Sequence, residues 1–569
     1  MSLTILGIWG YSADSPALTH DSGAAVIQDG KVIGAVNEER FSRRKIDGRY
    51  PFESIRTVLE ANGIAPGDID LIALAGLSPR MRSLKMLRYI WKTFSETRIF
   101  MPNRVLYAVL AAKKIRRTLP ENLKGVKTVC VDHHLAHAAS AYYTCPWKDA
   151  TVVTLDGIGD SATCGVVCSG VRGEMKRLFE CNGYYSPGIL YSFITKRFGF
   201  SVSKHEGKIT GLAAYGDHSQ IYDRMKDIIS YREKEHDFYS EYVPRLFKAR
   251  TYAEWGLPII DELLDEVLRE DVAAGVQKLT EDVVCAYVQD AVKLTGLPKV
   301  ALAGGVFGNV KLNQRIRELE CVEDVYVHPN MGDGGLAAGA ALYLWANERK
   351  RAGKVASPIL LENVYLGPDC SEAHIRDLIE KYGLSFRCSE CVEKEIATFL
   401  FENKIVGRFS GRMEYGPRAL GNRSILAAPV DKTINDWLNK RLKRTEFMPF
   451  APSILEEDAG DFLTGWSPAQ VAARFMTMTY DVPIEKVSTA PAVVHVDNTV
   501  RPQVVRKRDN PSFHQVILEY KKLSGLPLVI NTSFNMHEEP IVCTPEDAIR
   551  SFLAGSIDVL TLDSFIVEK

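Results

Sequence analysis

Alternating runs of apolar and polar residues divide the chain into short strands and amphipathic helices. Residues 4–11 predict a buried strand, and residues 23–37 predict two more strands joined by a Gln-Asp-Gly turn. Residues 150–180 repeat this β-meander, with glycine at the bends. Between the two copies, residues 52–63 predict a helix and residues 70–76 a strand. Helices and strands then alternate, which predicts an α/β fold with covered sheets.

The two meanders indicate a lobe made of two similar halves. This pattern resembles the superfamily of actin, sugar kinases and Hsp70, in which a nucleotide lies in the cleft between the halves. We predict that this first domain spans residues 1–350. A change of composition and a proline mark residues 351–363 as a linker, and residues 364–569 form a second α/β domain.

Composition narrows the functional classes. Among 569 residues, 46% are hydrophobic and 25% charged, which is typical of a globular protein and excludes disorder, collagen and simple coiled coils. The 70 Lys and Arg nearly balance the 71 Asp and Glu, so no global field favours nucleic acid.

The cysteines and the hydropathy of the chain indicate in which cellular compartment the protein is expected. The eleven Cys are scattered, and Cys388–Cys391 is the only CxxC pair, which indicates reduced thiols and cannot complete a zinc site. No apolar run approaches the length of about 18 residues that spans a bilayer. We therefore expect a cytoplasmic, soluble protein without a membrane span.

The sharpest chemical signal is the sequence KTVCVDHHLAHAASAYY. A strand there runs into a helix on which His133 and His137 stand four residues apart and share one face. Asp156 and Asp333 lie at strand-to-loop junctions, so two His and two Asp form a candidate site for Fe(II), Mn(II) or Zn(II). The alternative is that His133, His134 and His137 only cap and pack the helix.

Three glycine-rich segments predict a nucleotide-like ligand. The strand in ALAGGVFGNVKLNQRI ends at two glycines that let the backbone approach a phosphate, Asp333-Gly-Gly opens a second such loop, and HEGKITGLAAYG (205–216) is read as a third. The alternative is a purely steric need for glycine. The candidate ligand-binding positions are Gly304, Gly305, Asn309, Glu206 and Lys208.

Residues 408–444 carry nine Lys and Arg against Glu414, Asp431 and Asp436. A solvated helix usually interleaves its charges, so this excess favours a cleft for anionic substrates, with a surface network as the alternative. Arg501 and the Ser533-Phe-Asn535 sequence add further phosphate-binding groups. The candidate cations of the stretch are Arg418, Arg423, Lys443 and Arg444.

Residues 80–117 form a second basic stretch. It holds eleven Lys and Arg against the single Glu96, interleaved with aromatic and aliphatic residues. A docking arm for an acceptor, a membrane surface or a partner competes here with an ordinary solvated helix face.

The collected motifs resemble the O-carbamoyltransferase family of nodulation and antibiotic biosynthesis, which includes the tobramycin and cephamycin enzymes. They are His20-Asp21, EERFSRRK, HHLAHAASAYY, EGKxxGLAAYG, GGVFGN, GDGGLAAGAA, GPRALGNRS, KRTEFMPFAPS, HVDNTVRPQ and NTSFN. The resemblance covers nearly the whole chain. It implies a first lobe like the transferase subunit that makes threonylcarbamoyladenosine in tRNA, and a second, YrdC-like lobe similar to threonylcarbamoyl-AMP synthase.

The resemblance also implies a reaction. The second lobe converts carbamoyl phosphate and ATP, with Mg²⁺, into carbamoyl-AMP, and the first lobe transfers the carbamoyl group to a hydroxyl of a small-molecule acceptor. Phosphate-binding positions of the family match Arg418, Lys443, Arg501 and Ser533. The metal of the first lobe, with Fe(II) favoured, falls on His133, His137, Asp156 and Asp333. His20 matches a general base, and Lys45 a cation on the anhydride phosphate.

Three alternatives stay open. A tRNA threonylcarbamoyl-transfer enzyme shares both folds, but near-neutral charge disfavours a nucleic-acid partner. The hydrogenase-maturation carbamoyltransferase carries paired-Cys zinc modules that this chain lacks. A nucleotide switch of the Hsp70 or sugar-kinase type would leave the His133/His137 pair without a role. The oligomeric state is a separate question, for which the sequence leaves a homodimer open.

Overall fold

The computed structural model describes residues 2–10, 20–76, 79–106, 108, 119–159, 162–249, 254–434, 450–536, 538–555 and 557–569. These residues cluster into two compact units. The first contains 1–33, 46–55 and 64–361, and the second contains 34–45, 56–63 and 362–569. The predicted α/β class is confirmed.

Twenty-two strands occur in the described part of the chain. In chain order they are β1 Thr4–Trp9, β2 Gly23–Gln28, β3 Lys31–Asn37, β4 Leu71–Ala75, β5 Thr128–Val131, β6 Asp149–Leu155, β7 Thr163–Val171, β8 Glu174–Asn182, β9 Ser230–Arg232, β10 Asp237–Tyr239, β11 Lys299–Ala303, β12 Asp324–Val327, β13 Arg387–Cys388, β14 Val406–Phe409, β15 Arg423–Ala427, β16 Ala451–Leu455, β17 Tyr480–Asp481, β18 Thr499–Val500, β19 Gln503–Val505, β20 Leu528–Ser533, β21 Val559–Leu562 and β22 Phe565–Glu568.

The two five-stranded sheets of the described residues have the same topology. Their orders are β3-β2-β1-β4-β5 and β12-β11-β6-β7-β8, and in each an antiparallel meander continues into two parallel strands. The predicted internal repeat is therefore confirmed. The predicted strand over 4–11 ends at Trp9, and residues 11–19 lie outside the described part.

Eighteen α-helices lie wholly within the described residues. Those of the first half of the chain are Glu39–Ser42, Phe52–Glu60, Pro79–Thr97, His133–Thr144, Pro187–Arg197, Glu206–Ala213, Tyr222–Met225, Val243–Leu246, Pro258–Glu266 and Arg269–Thr295. Those of the second half are Val310–Arg317, Leu336–Arg351, Glu372–Lys381, Val392–Phe401, Ala459–Phe462, Ile484–Val487, Pro511–Ser524 and Pro545–Leu553.

The helix Leu336–Arg351 packs unusually close to its neighbours because its buried face is built from Gly and Ala. A Cβ added to Gly339 would lie 1.9 Å from the carbonyl oxygen of Ala136, on the helix His133–Thr144. A Cβ on Gly7 of β1 would lie 1.9 Å from the carbonyl oxygen of Ala337. Small residues thus let the backbones approach, which fixes the turn at Asp333 against the neighbouring helix.

The second unit is organised around one mixed eight-stranded sheet, in the order β13-β22-β21-β14-β15-β20-β16-β19. Its core includes the helices Val392–Phe401 and Pro511–Ser524, which bury residues such as Phe399, Phe513 and Ile517 against the sheet. Burial of these apolar side chains is the main stabilising contribution. The YrdC-like likeness of this unit stays a prediction.

One predicted loop is wrong. Residues 205–216 contain the helix Glu206–Ala213, which packs on the long helix Arg269–Thr295 and buries Ile209 and Leu212. Burial of these two apolar residues outweighs the low helix propensity of the glycines.

Two further predictions concern the helix after β15 and the absence of a membrane-spanning helix. The helix predicted for INDWLNKRLKR lies mostly in residues 435–449, outside the described part. Among the described residues, no helix is both long and apolar enough to cross a membrane.

Candidate functional site

Four side chains of the first unit converge on one point. His133, His137, Asp156 and Asp333 each direct a ligand atom into a space where all four atoms lie within 4.8 Å of one another. The four distances from the Nε2 atoms to Asp156 Oδ2 and Asp333 Oδ1 are all 3.4 or 3.5 Å. Ligands held about 2.1 Å from a common ion are spaced on this scale.

The chemistry of the donor atoms fits a cation. His137 Nε2 and Asp333 Oδ1 are buried and have no hydrogen-bond partner among the described residues. Burial would raise the pKa of Asp156, but the two histidines hold that pKa well below its usual value. Buried polar atoms without partners are costly, so this set is built to receive a charged ligand.

The local sequence holds the two histidines in place. Asp132 caps the helix His133–Thr144, and its Oδ1 accepts hydrogen bonds from the backbone N–H groups of His134 and Leu135. Asp132 also pairs with Lys85 at 3.4 Å. His134 faces away from the cluster, with its ring 2.8 Å from the carbonyl oxygen of Thr163. The predicted capping role thus belongs to Asp132.

Asp156 and Asp333 reach the cluster from different elements. Asp156 follows β6 directly, and its Oδ1 accepts from the N–H of Gly157 at 2.8 Å. Asp333 does not follow a strand directly, because β12 ends at Val327, and it opens the turn that leads into the helix Leu336–Arg351.

His20 stands at the edge of this cluster. Its Nε2 lies 3.6 Å from Asp333 Oδ2, and its Nδ1 lies 3.0 Å from Asp21 Oδ2. Burial alone would lower the pKa of His20, but the carboxylates of Asp333, Asp21 and Asp156 raise it to about 10. The structure thus brings the predicted base together with the predicted ligands.

The glycine loop at the end of β11 borders the cluster. A Cβ on Gly305 would lie 2.8 Å from Asp156 Oδ1, and one on Gly304, which has a φ of +112°, would lie 2.1 Å from the carbonyl oxygen of Leu155. Asn309 caps the helix Val310–Arg317 with its Oδ1 and donates from Nδ2 to Gln277 Oε1 at 2.8 Å. Glycine is therefore required for close packing here.

The helix that replaces the predicted third loop is joined to the same region. Gln277 also accepts from the hydroxyl of Tyr191, which bonds Thr210 at 2.8 Å. Glu206 accepts from the hydroxyl of Ser192 and the N–H of Ser203, whereas Lys208 is buried near the ring of Phe200. Their predicted contacts with a ligand stay predictions.

A second polar region lies at one end of the eight-stranded sheet. The register pairs Ser424, at the start of β15, with Ser533, at the end of β20. The first residue of β16 pairs with Asn531, and Ser453 pairs with Gln503, so Arg501 lies just before β19 at this same end. Strand register thus brings Arg501, Ser533 and the loop before β15 to the same end of the sheet. Arg418 lies in that loop.

Side chains that hydrogen-bond to its backbone hold this loop in place. Glu414 is buried, and its Oε1 accepts from the N–H groups of Leu420, Asn422 and Arg423 at 2.8 to 3.1 Å. The carbonyl oxygen of Leu420 accepts from Gln503 Nε2 at 2.8 Å, and that of Ala419 accepts from Asn531 Nδ2 at 3.2 Å. A charged acceptor shared by three backbone donors makes this turn rigid.

Several arginines of the basic stretch hydrogen-bond to backbone carbonyl oxygens of the second unit. Arg423 is fully buried and donates to the carbonyl oxygens of Ser410 and Gly411 at 2.9 Å. Arg408 donates to the carbonyl of Gly421, and Arg412 donates to that of Gly367. Arg418 is half-buried, as Arg412 is, whereas Arg408 and Arg423 are buried. A nucleotide contact of Arg423 stays a prediction.

The EERFSRRK motif belongs to the second unit. Arg40 is buried and donates from Nη2 to the carbonyl oxygen of Gly416 at 2.7 Å, next to Arg418 in the loop. Arg43 donates to the carbonyl oxygens of Pro540 and Ile541. Lys45 groups with this unit too, rather than with the first domain that we predicted for it.

The strand β20 ends in a short hydrogen-bonded turn. Ser533 donates to Asn535 Oδ1 at 2.7 Å, and Asn535 Nδ2 donates to the carbonyl oxygen of Glu539 at 2.6 Å. Lys443 and Arg444 belong to residues 435–449 and lie outside the described part.

Comparison with known proteins decides the family. The model of the carbamoyltransferase N-terminus matches residues 11–342, and that of the carbamoyltransferase C-terminus matches residues 397–569. The chain belongs to the carbamoyltransferase family. It is therefore a transferase, and the family resemblance of its motifs is confirmed.

Relatives of this carbamoyltransferase extend over most of the chain. Nodulation protein NolNO of Sinorhizobium fredii is 32% identical over 98% of this chain and 80% of its own length. Nodulation protein U of the same species is 28% identical over 91% of this chain and 93% of its own length.

A solved structure overlaps the chain more loosely. The activator of the 2-hydroxyisocaproyl-CoA dehydratase from Clostridium difficile, with bound ADPNP, covers 62% of this chain and 98% of its own at 14% identity. The TM-score of 0.33 is too low to carry an argument about this carbamoyltransferase.

Four residues that hold the second polar region together do not stand out in the sequence. Glu414 reads there only as a counter-charge, and neither Arg40, Gln503 nor Asn531 is distinguished within its motif. Asn531 has a readable signal, because a polar residue inside the apolar strand PLVINTS needs buried partners.

Proposed function

We propose that this carbamoyltransferase is an ATP-dependent O-carbamoyltransferase with one half-reaction in each unit. The second unit forms carbamoyl-AMP, and the first transfers the carbamoyl group to a hydroxyl of a small-molecule acceptor. The observation that carries the proposal is the presence of two separately built polar sites, the His/Asp cluster and the rigid Arg418 loop.

The first half-reaction needs a site for two anionic substrates. Water hydrolyses carbamoyl phosphate to carbamate and inorganic phosphate, a carbamate oxygen then attacks the α-phosphorus of ATP, and pyrophosphate leaves. Strand register brings Arg501, Ser533 and the loop that carries Arg418 to the same end of the sheet, and we infer that half-buried cations there offset the repulsion between the two anions. We assign Arg418, Lys443 and Arg444 to these phosphates, with Mg²⁺ bound to ATP.

Rigidity of the loop supports this assignment. Glu414 and Arg40 fix the turn on either side of Arg418, so its guanidinium needs little reorganisation when substrate binds. Lys45 follows the Arg40 segment, and we assign it to the phosphate of the adenylate.

The second half-reaction transfers the carbamoyl group. The acceptor hydroxyl attacks the carbamoyl carbon, the bond to the phosphate oxygen breaks, and AMP leaves. His20 is the proposed base, because Asp21 can hold the proton of Nδ1 while Nε2 faces the cluster. Nε2 accepts the hydroxyl proton once the carboxylates of Asp156 and Asp333 are neutralised.

We propose that His133, His137, Asp156 and Asp333 hold a divalent cation, with Fe(II) favoured over Mn(II) and Zn(II). Such an ion, when bound, neutralises phosphate charge and polarises the oxygen that it contacts. The glycine loop at Gly304 and Gly305 lies against Asp156, and we assign it to the adenylate because the absence of side chains there allows a close approach.

The first experiment quantifies products without an acceptor. Purified protein is incubated with ATP, carbamoyl phosphate and Mg²⁺, and AMP and pyrophosphate are measured against ADP. We expect pyrophosphate release that requires carbamoyl phosphate and that is lost in Arg418→Ala. Lys432→Ala, an exposed cation that follows the far end of β15, is the matched control. Release of ADP alone, or a requirement for threonine and bicarbonate, would contradict the proposal.

A further inference from the structure

The helix Pro79–Thr97 is apolar on two opposite faces. One face is buried in the first unit through Met86, Tyr89 and Ile90. The opposite face exposes a stripe at helical spacing, and the exposed fractions are 52% for Met81, 56% for Leu84, 36% for Leu87 and 70% for Trp91. A contiguous exposed apolar patch of this kind is typical of a surface that binds a partner or a membrane.

This outer face is held rigidly. Lys85 pairs with Glu180 at 2.8 Å, and Lys92 pairs with Asp237 at 2.7 Å. Thr93 accepts a hydrogen bond from Asn182 Nδ2 at 2.8 Å. The exposed stripe therefore belongs to an anchored element and presents a fixed surface.

Exposed cations flank the stripe. Of the seven Lys and Arg in residues 79–106, Lys85 and Lys92 are already paired with carboxylates, and Arg82 is buried. Arg88 and Arg98 are exposed, and the apolar surface continues to Phe100 and Leu106, which are 55% and 59% exposed. Cations beside exposed aliphatic and aromatic side chains are typical of a helix that lies on an anionic lipid surface.

We propose that the outer face of Pro79–Thr97 docks this enzyme on an anionic membrane surface. A second copy of the chain fits less well, because an isologous contact would bring the same cations of both copies together. Nucleic acid fits less well, because Met81, Leu84 and Leu87 offer neither charge nor a stacking ring. The face lies on the bilayer, and no segment of it crosses.

Vesicle flotation tests the proposal. The full-length protein is mixed with vesicles of phosphatidylcholine alone or of phosphatidylcholine with phosphatidylglycerol, at low and at high salt. We expect flotation with the anionic vesicles only, and weaker flotation at high salt. Trp91→Glu is expected to reduce binding by about tenfold or more, and Arg88→Glu by about fivefold. Leu268→Glu, whose residue is 69% exposed elsewhere in the same unit, should bind like the wild type.

Several outcomes would overturn the proposal. One is protein that stays unbound with every vesicle, and another is equal loss of binding in Leu268→Glu and Trp91→Glu. A dimer that Trp91→Glu converts to a monomer would assign the face to a second copy. RNA retention that Trp91→Glu abolishes would assign the face to nucleic acid. The far-UV circular dichroism spectrum and the thermal midpoint of Trp91→Glu should match those of the wild type, which verifies that the variant is folded.

Discussion

Nη2 of Arg40 donates a 2.7 Å hydrogen bond to the carbonyl oxygen of Gly416, two residues before Arg418. The contact joins residues 376 positions apart in the sequence. It fixes the entry of the Arg418 loop, while Glu414 fixes its exit. Arg40 is thus a positioning residue, because it acts on the proposed phosphate site through the backbone.

Arg40→Lys should slow the formation of carbamoyl-AMP. Lysine keeps the charge but cannot reproduce the fork that reaches Gly416, and a shift of about 1 Å in a catalytic group can cost about 100-fold in rate. We expect the kcat for pyrophosphate release to fall by about tenfold to 100-fold, with a smaller change in the KM for ATP. Arg44→Met, an exposed arginine of the same motif, is the control. Equal kcat values for Arg40→Lys and the wild type would contradict a positioning role.

Glu414→Ala should loosen the same loop. The substitution leaves three buried N–H groups without their acceptor, at about 1 to 3 kcal/mol for each. We expect faster amide hydrogen exchange at Leu420, Asn422 and Arg423 and a lower urea midpoint for the second unit. Glu402→Ala removes an exposed glutamate from the same unit and should leave both measurements unchanged. Slow exchange at these three amides in Glu414→Ala would exclude the anchoring role.

His137→Gln should remove the cation from the first unit. His137 supplies a buried Nε2 that has no hydrogen-bond partner among the described residues, so its loss breaks the ligand set. Protein loaded with Fe(II), Mn(II) or Zn(II) under anaerobic conditions and then desalted should retain about one ion per chain. We expect that ratio to fall at least about tenfold in His137→Gln and to be kept in His218→Gln, which changes an exposed histidine. Equal metal contents would show that the cluster is not the metal site.

Gly339→Ala should disturb the cluster from a distance. The added Cβ would lie 1.9 Å from the carbonyl oxygen of Ala136, so the helix Leu336–Arg351 must move away from the helix that carries both histidines. We expect about 1 to 3 kcal/mol of destabilisation and weaker metal binding. Gly67→Ala, where no atom lies within 4 Å of the new Cβ, should bind metal normally. Unchanged thermal midpoint and metal affinity in Gly339→Ala would contradict this packing argument.

Local patterns predicted much of this fold. The two meanders were readable because glycine bends and apolar alternation are short-range signals. The His133/His137 pair was readable because helical spacing places residues four apart on one face. Topology then brings Asp156 and Asp333 to them from separate elements, a convergence that no local pattern encodes.

Other features depend on tertiary contacts and escaped prediction. The glycines of residues 205–216 suggested a loop, whereas burial of Ile209 against a neighbouring helix makes it helical. The sequence does not distinguish Arg423, which is buried on backbone carbonyls, from the half-buried Arg418. Arg40 could not be separated from its motif because its partner lies in a distant segment of the chain.

The most direct test of the central claim separates the two half-reactions by mutation. Pyrophosphate release from ATP and carbamoyl phosphate is measured for His137→Gln and Arg418→Ala, with wild-type protein as the reference. The account predicts that His137→Gln releases pyrophosphate at nearly the wild-type rate, whereas Arg418→Ala loses that release by at least about 100-fold. Equal loss in both variants, or loss in His137→Gln alone, would contradict the assignment of carbamoyl-AMP formation to the second unit.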